Sequence, residues 1–178
     1  MNTGQMLITI GALFLLNMVI LNVNRGLYWT NSTMSDNRVG ILAVSVGTSV
    51  MEKASSLAFD EKTVGGSVLK PSDCTSNGSL GLETGEYSSD INTFDDFDDF
   101  KCFTASNPKV DEIVLTDVNK KIVFKTICKV SYVRGSFPDQ DTTSQSWYKK
   151  LRVFVVSNDM TDTVKLSTIY SFWYITKI

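Results

Sequence analysis

The 178-residue chain contains no histidine, and this absence removes the most frequent general base and the most frequent metal ligand together. Serine–histidine and cysteine–histidine nucleophile pairs are excluded with it. The sequence also lacks a phosphate-binding loop, a dinucleotide fingerprint and a nucleophile elbow. A net charge of −2 provides no basic surface, so no nucleic-acid partner is expected. The composition therefore predicts a protein that is not an enzyme and that needs no cofactor.

Cysteine is scarce, and its three occurrences form no CxxC pair that would indicate a zinc site. Cys128 lies in a strand-like pattern in which its side chain would face inward, whereas Cys74 and Cys102 flank loop-rich sequence. The uncharged, apolar N-terminus is of a kind found in exported proteins, and exported proteins commonly carry disulfides. We therefore expect a Cys74–Cys102 disulfide, with Cys128 free and buried. The alternative is that all three are reduced core residues.

Charge is absent from the first 24 residues, and residues 6–23 form an almost unbroken apolar run. Such a run makes about 27 Å of helix, close to the hydrocarbon thickness of a bilayer. The segment has neither the basic start nor the small-residue cleavage site of a signal peptide, so we expect it to remain in the mature protein. Two roles stay open for it: a single-pass membrane anchor and the stalk of a filament subunit.

A second apolar pattern follows further along the chain, with spacings of three and four that are typical of an amphipathic helix. We predict one long helix over residues 3–58. It should be weakest near Gly26 and over residues 30–37, which are polar and poor in helix-forming residues. Residues 1–35 are expected to form a hydrophobic helix, and residues 36–178 a globular head.

The head divides into a loop region and a β-rich part. Residues 60–110 are irregular and rich in Gly, Ser, Asp and Thr. Alternating apolar residues predict a short strand near 113–115 and longer strands at 122–133, 151–156 and 164–173. Turns are expected at 117–119, 135–145 and 157–159, and the lysine pairs 120–121 and 149–150 are interpreted as solvated charges. We therefore expect an α+β fold in which the amphipathic half of the long N-terminal helix packs on a small antiparallel β-meander.

Two local stretches carry a resemblance to a known family. Residues 50–61 (VMEKASSLAFDE) look like the end of the helix in minor-pilin and haemagglutinin-pilus proteins, and residues 94–100 (FDDFDDF) are similar to an acidic loop of the same groups. The order of the parts is a charge-free N-terminal helix that continues into an amphipathic half, then a loop region, then a small antiparallel meander. With this layout, the chain resembles type IV pilins and the related pseudopilins. It departs from them at the fifth position, where Gln5 (or Thr9, if the chain is cleaved after Gly4) replaces the usual glutamate.

The resemblance implies a structural subunit of an extracellular, prokaryotic type IV pilus-like filament. Its partners would be copies of itself in a helical homopolymer, the inner membrane before assembly, and the pilus assembly machinery. A helix that is apolar on all sides must be buried in lipid or in protein. The residues expected in the filament core are Gln5, Leu7, Ile10, Gly11, Phe14, Leu15, Met18 and Leu21. The alternatives are a membrane-anchored binding module and a low-copy pseudopilin of a secretion or uptake machine.

The acidic stretch is a candidate calcium site, because clustered carboxylates can supply the oxygen ligands that Ca²⁺ prefers. The candidate ligands are Asp95, Asp96, Asp98 and Asp99, with Asp90 and Asn92 near enough to contribute. The alternative is that Phe94, Phe97 and Phe100 insert into the core while the aspartates face water. Two sequons, at Asn31 and Asn77, are candidate glycosylation sites.

Overall fold

The computed structural model describes residues 2–115 and 119–175, with the side chains of Tyr174 and Ile175 left out. The chain separates into two compact units, residues 1–39 and residues 40–178. Residues 117 and 118 of the predicted turn lie outside the described residues, whereas Asn119 is a turn residue with a φ of 47°.

The first element is a helix, α1 (Thr3–Ser55), of 53 residues without interruption. The long N-terminal helix is therefore confirmed, but the weakness expected near Gly26 and over 30–37 was wrong. No proline breaks the hydrogen-bond ladder there, and the hydroxyls of Thr30 and Thr33 donate to the carbonyls of Gly26 (2.9 Å) and Trp29 (3.0 Å). The polar side chains of this stretch therefore form hydrogen bonds within the helix and do not interrupt it.

The second unit contains an antiparallel sheet of five strands. They are β1 (Lys109–Leu115), β2 (Lys120–Arg134), β3 (Phe137–Thr142), β4 (Tyr148–Ser157) and β5 (Val164–Ser171). The order is β1-β2-β4-β5, and β3 pairs with the far end of β2. Two short helices, α2 (Glu61–Val64) and α3 (Phe172–Ile175), and three 3₁₀ turns complete the described structure.

Strand β3 is a correction, because we expected a turn over residues 135–145. The segment 137–142 instead pairs with β2, placing Thr142 opposite Tyr132 and Asp141 opposite Val133. Its sequence is polar, contains Pro138 and shows no alternation of apolar residues, so it does not predict a strand. Such a sequence nevertheless suits a strand at an exposed edge. The strand predicted at 164–173 also ends earlier, at Ser171, where α3 begins.

The core of the second unit lies between the sheet and residues 40–55 of α1. Strand β2 buries alternate residues from Ile122 to Tyr132, as the period of two predicts. The helix buries Ala43, Gly47, Val50 and Ala54, at spacings of four, three and four. A Cβ on Gly47 would lie 2.6 Å from Leu166 Cδ1, so glycine permits the close approach of helix and sheet. The predicted α+β class, with a long helix packed on a small antiparallel sheet, is confirmed.

Candidate functional site

The apolar part of α1 is exposed on every side. Four consecutive residues, 13–16, cover a full turn, and their exposed fractions are 59%, 64%, 64% and 55%. The predicted core residues Gln5, Leu7, Ile10, Gly11, Phe14, Leu15, Met18 and Leu21 are all exposed as well. By length and composition α1 can cross a membrane, which makes the helix compatible with membrane anchoring. A surface of this kind requires a covering of lipid or protein.

The acidic segment 94–100 is buried more deeply than either expectation allowed. Phe94, Phe97 and Phe100 enter the core, but Asp96, Asp98 and Asp99 are also buried completely, and Asp95 alone is exposed. The segment is held against the residues after α1, because the Ala58 amide donates to the Asp95 carbonyl (3.1 Å) and the Phe97 amide donates to the Ala58 carbonyl (2.9 Å). Three carboxylates are therefore buried in the protein interior, where each needs a hydrogen-bond donor or an opposite charge.

Lys149 supplies that partner for Asp98 and for Asp60. Our interpretation of the lysine pair 149–150 as solvated charges was wrong, since Lys149 is completely buried and Lys150 is only 8% exposed. The buried Lys149 ammonium donates to the Phe59 carbonyl (2.8 Å), to Asp60 Oδ2 (2.8 Å) and to Asp98 Oδ1. It also lies 4.8 Å from the centre of the Phe59 ring. Burial lowers the pKa of Lys149, but the charges of Asp98 and Asp60 outweigh that effect and raise it. The lysine is therefore a fixed internal cation.

Asp60 is the hub of this network and joins three parts of the chain. Its carboxylate caps α2 by accepting from the Lys62 amide (3.1 Å), and it accepts from the amide (3.0 Å) and hydroxyl (2.9 Å) of Thr75. The Tyr132 hydroxyl, on β2, donates to Asp60 Oδ2 at 3.0 Å. Burial raises the pKa of Asp60, yet the Lys149 ammonium and these donors lower it overall. Asp60 is thus held as a carboxylate inside the protein.

A second group of carboxylates converges beside this network. One oxygen from each of Glu83, Glu86 and Asp99 lies within 4.8 Å of the other two. The two glutamates flank a tight turn in which Gly85 has a φ of 109°, a conformation that favours glycine. The Glu83 amide donates to Glu86 Oε2 at 2.7 Å, which fixes the second glutamate over the turn.

Asp99 reaches this group from the acidic segment. Its Oδ2 accepts from the amides of Asp95 and Asp96, both at 3.1 Å. Its Oδ1 is buried without a hydrogen-bond partner, and the same holds for Glu83 Oε2 and Glu86 Oε1. Burial, followed by the nearby Glu86 side chain, raises the pKa of Glu83; burial also raises the pKa of Asp99, against its two amide donors. Among the described ion pairs, none involves these three residues.

The predicted calcium ligands thus take different positions. Asp98 binds Lys149, and Asp96 accepts from the amides of Asp98 (2.6 Å) and Asp99 (3.3 Å). Asp99 alone of the four joins the convergent group. Sequence analysis missed Glu83 and Glu86, because their only signal was a Glu-Thr-Gly-Glu turn in a loop region.

The expected Cys74–Cys102 disulfide is contradicted, because all three cysteines are free. Cys74 lies near Asp60, whereas Cys102 precedes Phe103, whose carbonyl accepts from the Cys128 amide at 2.8 Å. The two cysteines of the expected disulfide therefore lie beside different parts of the chain. Cys128 is free and buried, as predicted.

The two sequons differ in their surroundings. Asn31 is an exposed residue within α1, and Asn77 is a half-buried loop residue whose carbonyl accepts from the Lys101 ammonium at 3.3 Å. Glycosylation at either position stays a prediction.

Comparison of the chain with protein-family models, with curated proteins and with solved structures found no match. The resemblance to type IV pilins consequently rests on the layout of the chain and on its two local stretches.

Proposed function

We propose that the protein is a structural subunit of an extracellular type IV pilus-like filament, which polymerises by packing the apolar part of α1 against the same segment of other copies. Before assembly the subunit resides in the inner membrane, held by this helix. The observation that carries the proposal is the exposure of a full apolar turn at residues 13–16, combined with its continuation along residues 6–23.

The polar residues of the apolar segment favour a protein covering over a lipid one. Asn17 and Asn22 are costly in hydrocarbon, but their amides can hydrogen-bond across packed helices. Gly4 and Gly11 have open space where a Cβ would be, which permits a close approach by a neighbouring helix. Thr9 favours neither covering, since its hydroxyl already donates to the Met6 carbonyl within the same helix at 2.8 Å.

A second candidate is a membrane-anchored binding module, favoured by the length and composition of α1 alone. The two functions differ in self-association. A filament subunit polymerises, whereas an anchored module remains monomeric in detergent and is recovered only in the membrane fraction.

The test is electron microscopy of material sheared from producing cells, with N-terminal sequencing of the major band. Leu15→Glu places a charge in the stalk and is expected to abolish filaments, because burying an unpaired carboxylate between helices costs several kcal/mol. Leu69→Glu is the matched control, since Leu69 is an exposed leucine of the loop region in the second unit. Normal filaments from Leu15→Glu would refute the stalk assignment.

Asn17→Leu separates the two candidates. In a lipid anchor this substitution removes a polar group from hydrocarbon and leaves membrane association intact or stronger. In a filament it removes an interhelical hydrogen bond, so we expect fewer or shorter filaments with unchanged membrane insertion of the unassembled subunit.

A further inference from the structure

The three carboxylates Glu83, Glu86 and Asp99 have a geometry that their own hydrogen bonds do not explain. Asp99 is completely buried, and its Oδ1 points to no donor of the described chain. Glu83 and Glu86 each carry one buried oxygen without a partner as well, and one oxygen of each glutamate lies within 4.8 Å of an oxygen of Asp99. Leaving one such oxygen unsatisfied is costly, and three together repel one another as well.

We propose that Glu83, Glu86 and Asp99 bind a calcium ion. This inference does not depend on the filament role, because it concerns the loop region of the second unit alone. Three convergent carboxylate oxygens supply the negative charge that a divalent cation needs, and the cation supplies the partner that each oxygen lacks.

The spacing of the oxygens suits calcium. Ca²⁺ accepts oxygen ligands at about 2.3–2.6 Å, so two ligands on opposite sides of the ion are roughly 4.6–5.2 Å apart. Oxygens that lie within 4.8 Å of one another are close enough to share one such ion. Mg²⁺ requires shorter, nearly octahedral contacts of about 2.0–2.1 Å and retains most of its water, which suits a site of three converging side chains less well. Backbone carbonyls and water would complete the shell.

Such an ion would connect two loops that are distant in the sequence. Glu83 and Glu86 belong to the turn around Gly85, whereas Asp99 organises the acidic segment through the amides of Asp95 and Asp96. One connection already present between these loops is the bond from the Gly81 amide to Asp98 Oδ2, at 3.2 Å. Calcium would therefore fix the turn against the acidic segment and stiffen the loop region.

The test is calorimetric titration of CaCl₂ into the full chain, purified in a mild detergent and stripped of metal with a chelator. We expect one ion per chain, with the affinity reduced at least tenfold in Glu83→Gln and in Glu86→Gln. Glu112→Gln is the matched control, because Glu112 is an exposed glutamate on β1 that pairs with Lys121 at 2.6 Å. No binding by the unsubstituted chain, or equal binding by both glutamine variants, would overturn the proposal.

Thermal unfolding separates loss of the site from loss of the fold. Calcium at a hundredfold excess over Kd is expected to raise the Tm of the unsubstituted chain by roughly 5–10 °C. In chelator the glutamine variants should melt at the same temperature or higher, because the amide oxygen still accepts and the substituted side chain can no longer become a repelling charge. A lower Tm of both variants in chelator would contradict the repulsion on which the site depends. Magnesium binding as tight as calcium would overturn the choice of ion.

Discussion

Replacing Lys149 with methionine tests whether the buried ammonium holds the second unit together. Methionine keeps an unbranched apolar stem of similar length but removes all three donors, which contact the Phe59 carbonyl, Asp60 and Asp98. Asp60 retains donors from Thr75 and from two other residues, whereas Asp98 retains, among the donors in the described residues, only the Gly81 amide at 3.2 Å. The loss therefore falls mainly on Asp98.

The expected cost follows from leaving two buried carboxylates without their cation. Breaking a buried ion pair by removing one partner costs about 3–5 kcal/mol, a large share of the 5–15 kcal/mol by which domains are commonly stable. With a urea m-value of about 2 kcal/mol/M, the unfolding midpoint of Lys149→Met should fall by roughly 2 M. The measurement is urea unfolding of the full chain in mild detergent, followed by near-ultraviolet circular dichroism.

The neighbouring lysine provides the matched control. Lys150 is also largely buried, and its Nζ donates to Asp139 Oδ1 at 2.9 Å and to the Pro138 carbonyl at 3.2 Å. The Asp139 side chain is 95% exposed, however, so water readily replaces the lost lysine. Lys150→Met should therefore change the free energy of unfolding by about 1 kcal/mol or less. A Lys149→Met variant as stable as Lys150→Met would show that the internal cation is dispensable and would refute the assignment.

Two further predictions concern the packing of α1 and the state of the thiols. Gly47→Ala should destabilise the second unit by about 1–3 kcal/mol, because its Cβ would lie 2.6 Å from Leu166 Cδ1 and 3.2 Å from Val155 Cγ2. Gly40→Ala, with open space at its Cβ, should stabilise it by about 0.5–1 kcal/mol in the same unfolding assay, and equal signs for the two would contradict the packing. Burial raises the pKa of Cys74 to about 11 and that of Cys102 and Cys128 to about 12, so alkylation of the native protein should be negligible at pH 8 and should rise only in strong alkali. Denaturation without reductant should then release three reactive thiols, and a count of one would restore a disulfide.

The regular elements could be predicted because their signals are local. The spacing of three and four in α1 and the alternation from Ile122 to Tyr132 each reflect which side chains face the core. Strand β3 was not predicted, because its pairing with β2 and not its composition makes it a strand. Asp141 and Thr142 carry no apolar signal and lie opposite Val133 and Tyr132. The persistence of α1 through residues 30–37 likewise depends on an unbroken ladder, which outweighs weak intrinsic propensities.

The site could not be predicted, because its contacts join residues far apart in the chain. Lys149 lies 89 residues from Asp60 and 51 residues from Asp98. In the sequence it is one of two adjacent lysines before an apolar strand, and nothing distinguishes it from Lys150. The approach of Asp99 to a glutamate turn thirteen to sixteen residues earlier is equally hard to predict, since acidic residues in a loop are ordinarily solvated.

The charge balance of the loop region connects the lysine with the proposed calcium site. Asp60, Asp96, Asp98 and Asp99 are all buried, yet Lys149 is the only buried cation that contacts any of them in the described chain. Its donors serve Asp60 and Asp98, so Asp96 and Asp99 depend on backbone amides, and each keeps one oxygen without a partner. One oxygen of Asp99 lies within 4.8 Å of oxygens from Glu83 and Glu86. A loop region with little regular structure is therefore ordered by directional polar contacts, and a cation at the one place where three carboxylates converge would complete that order.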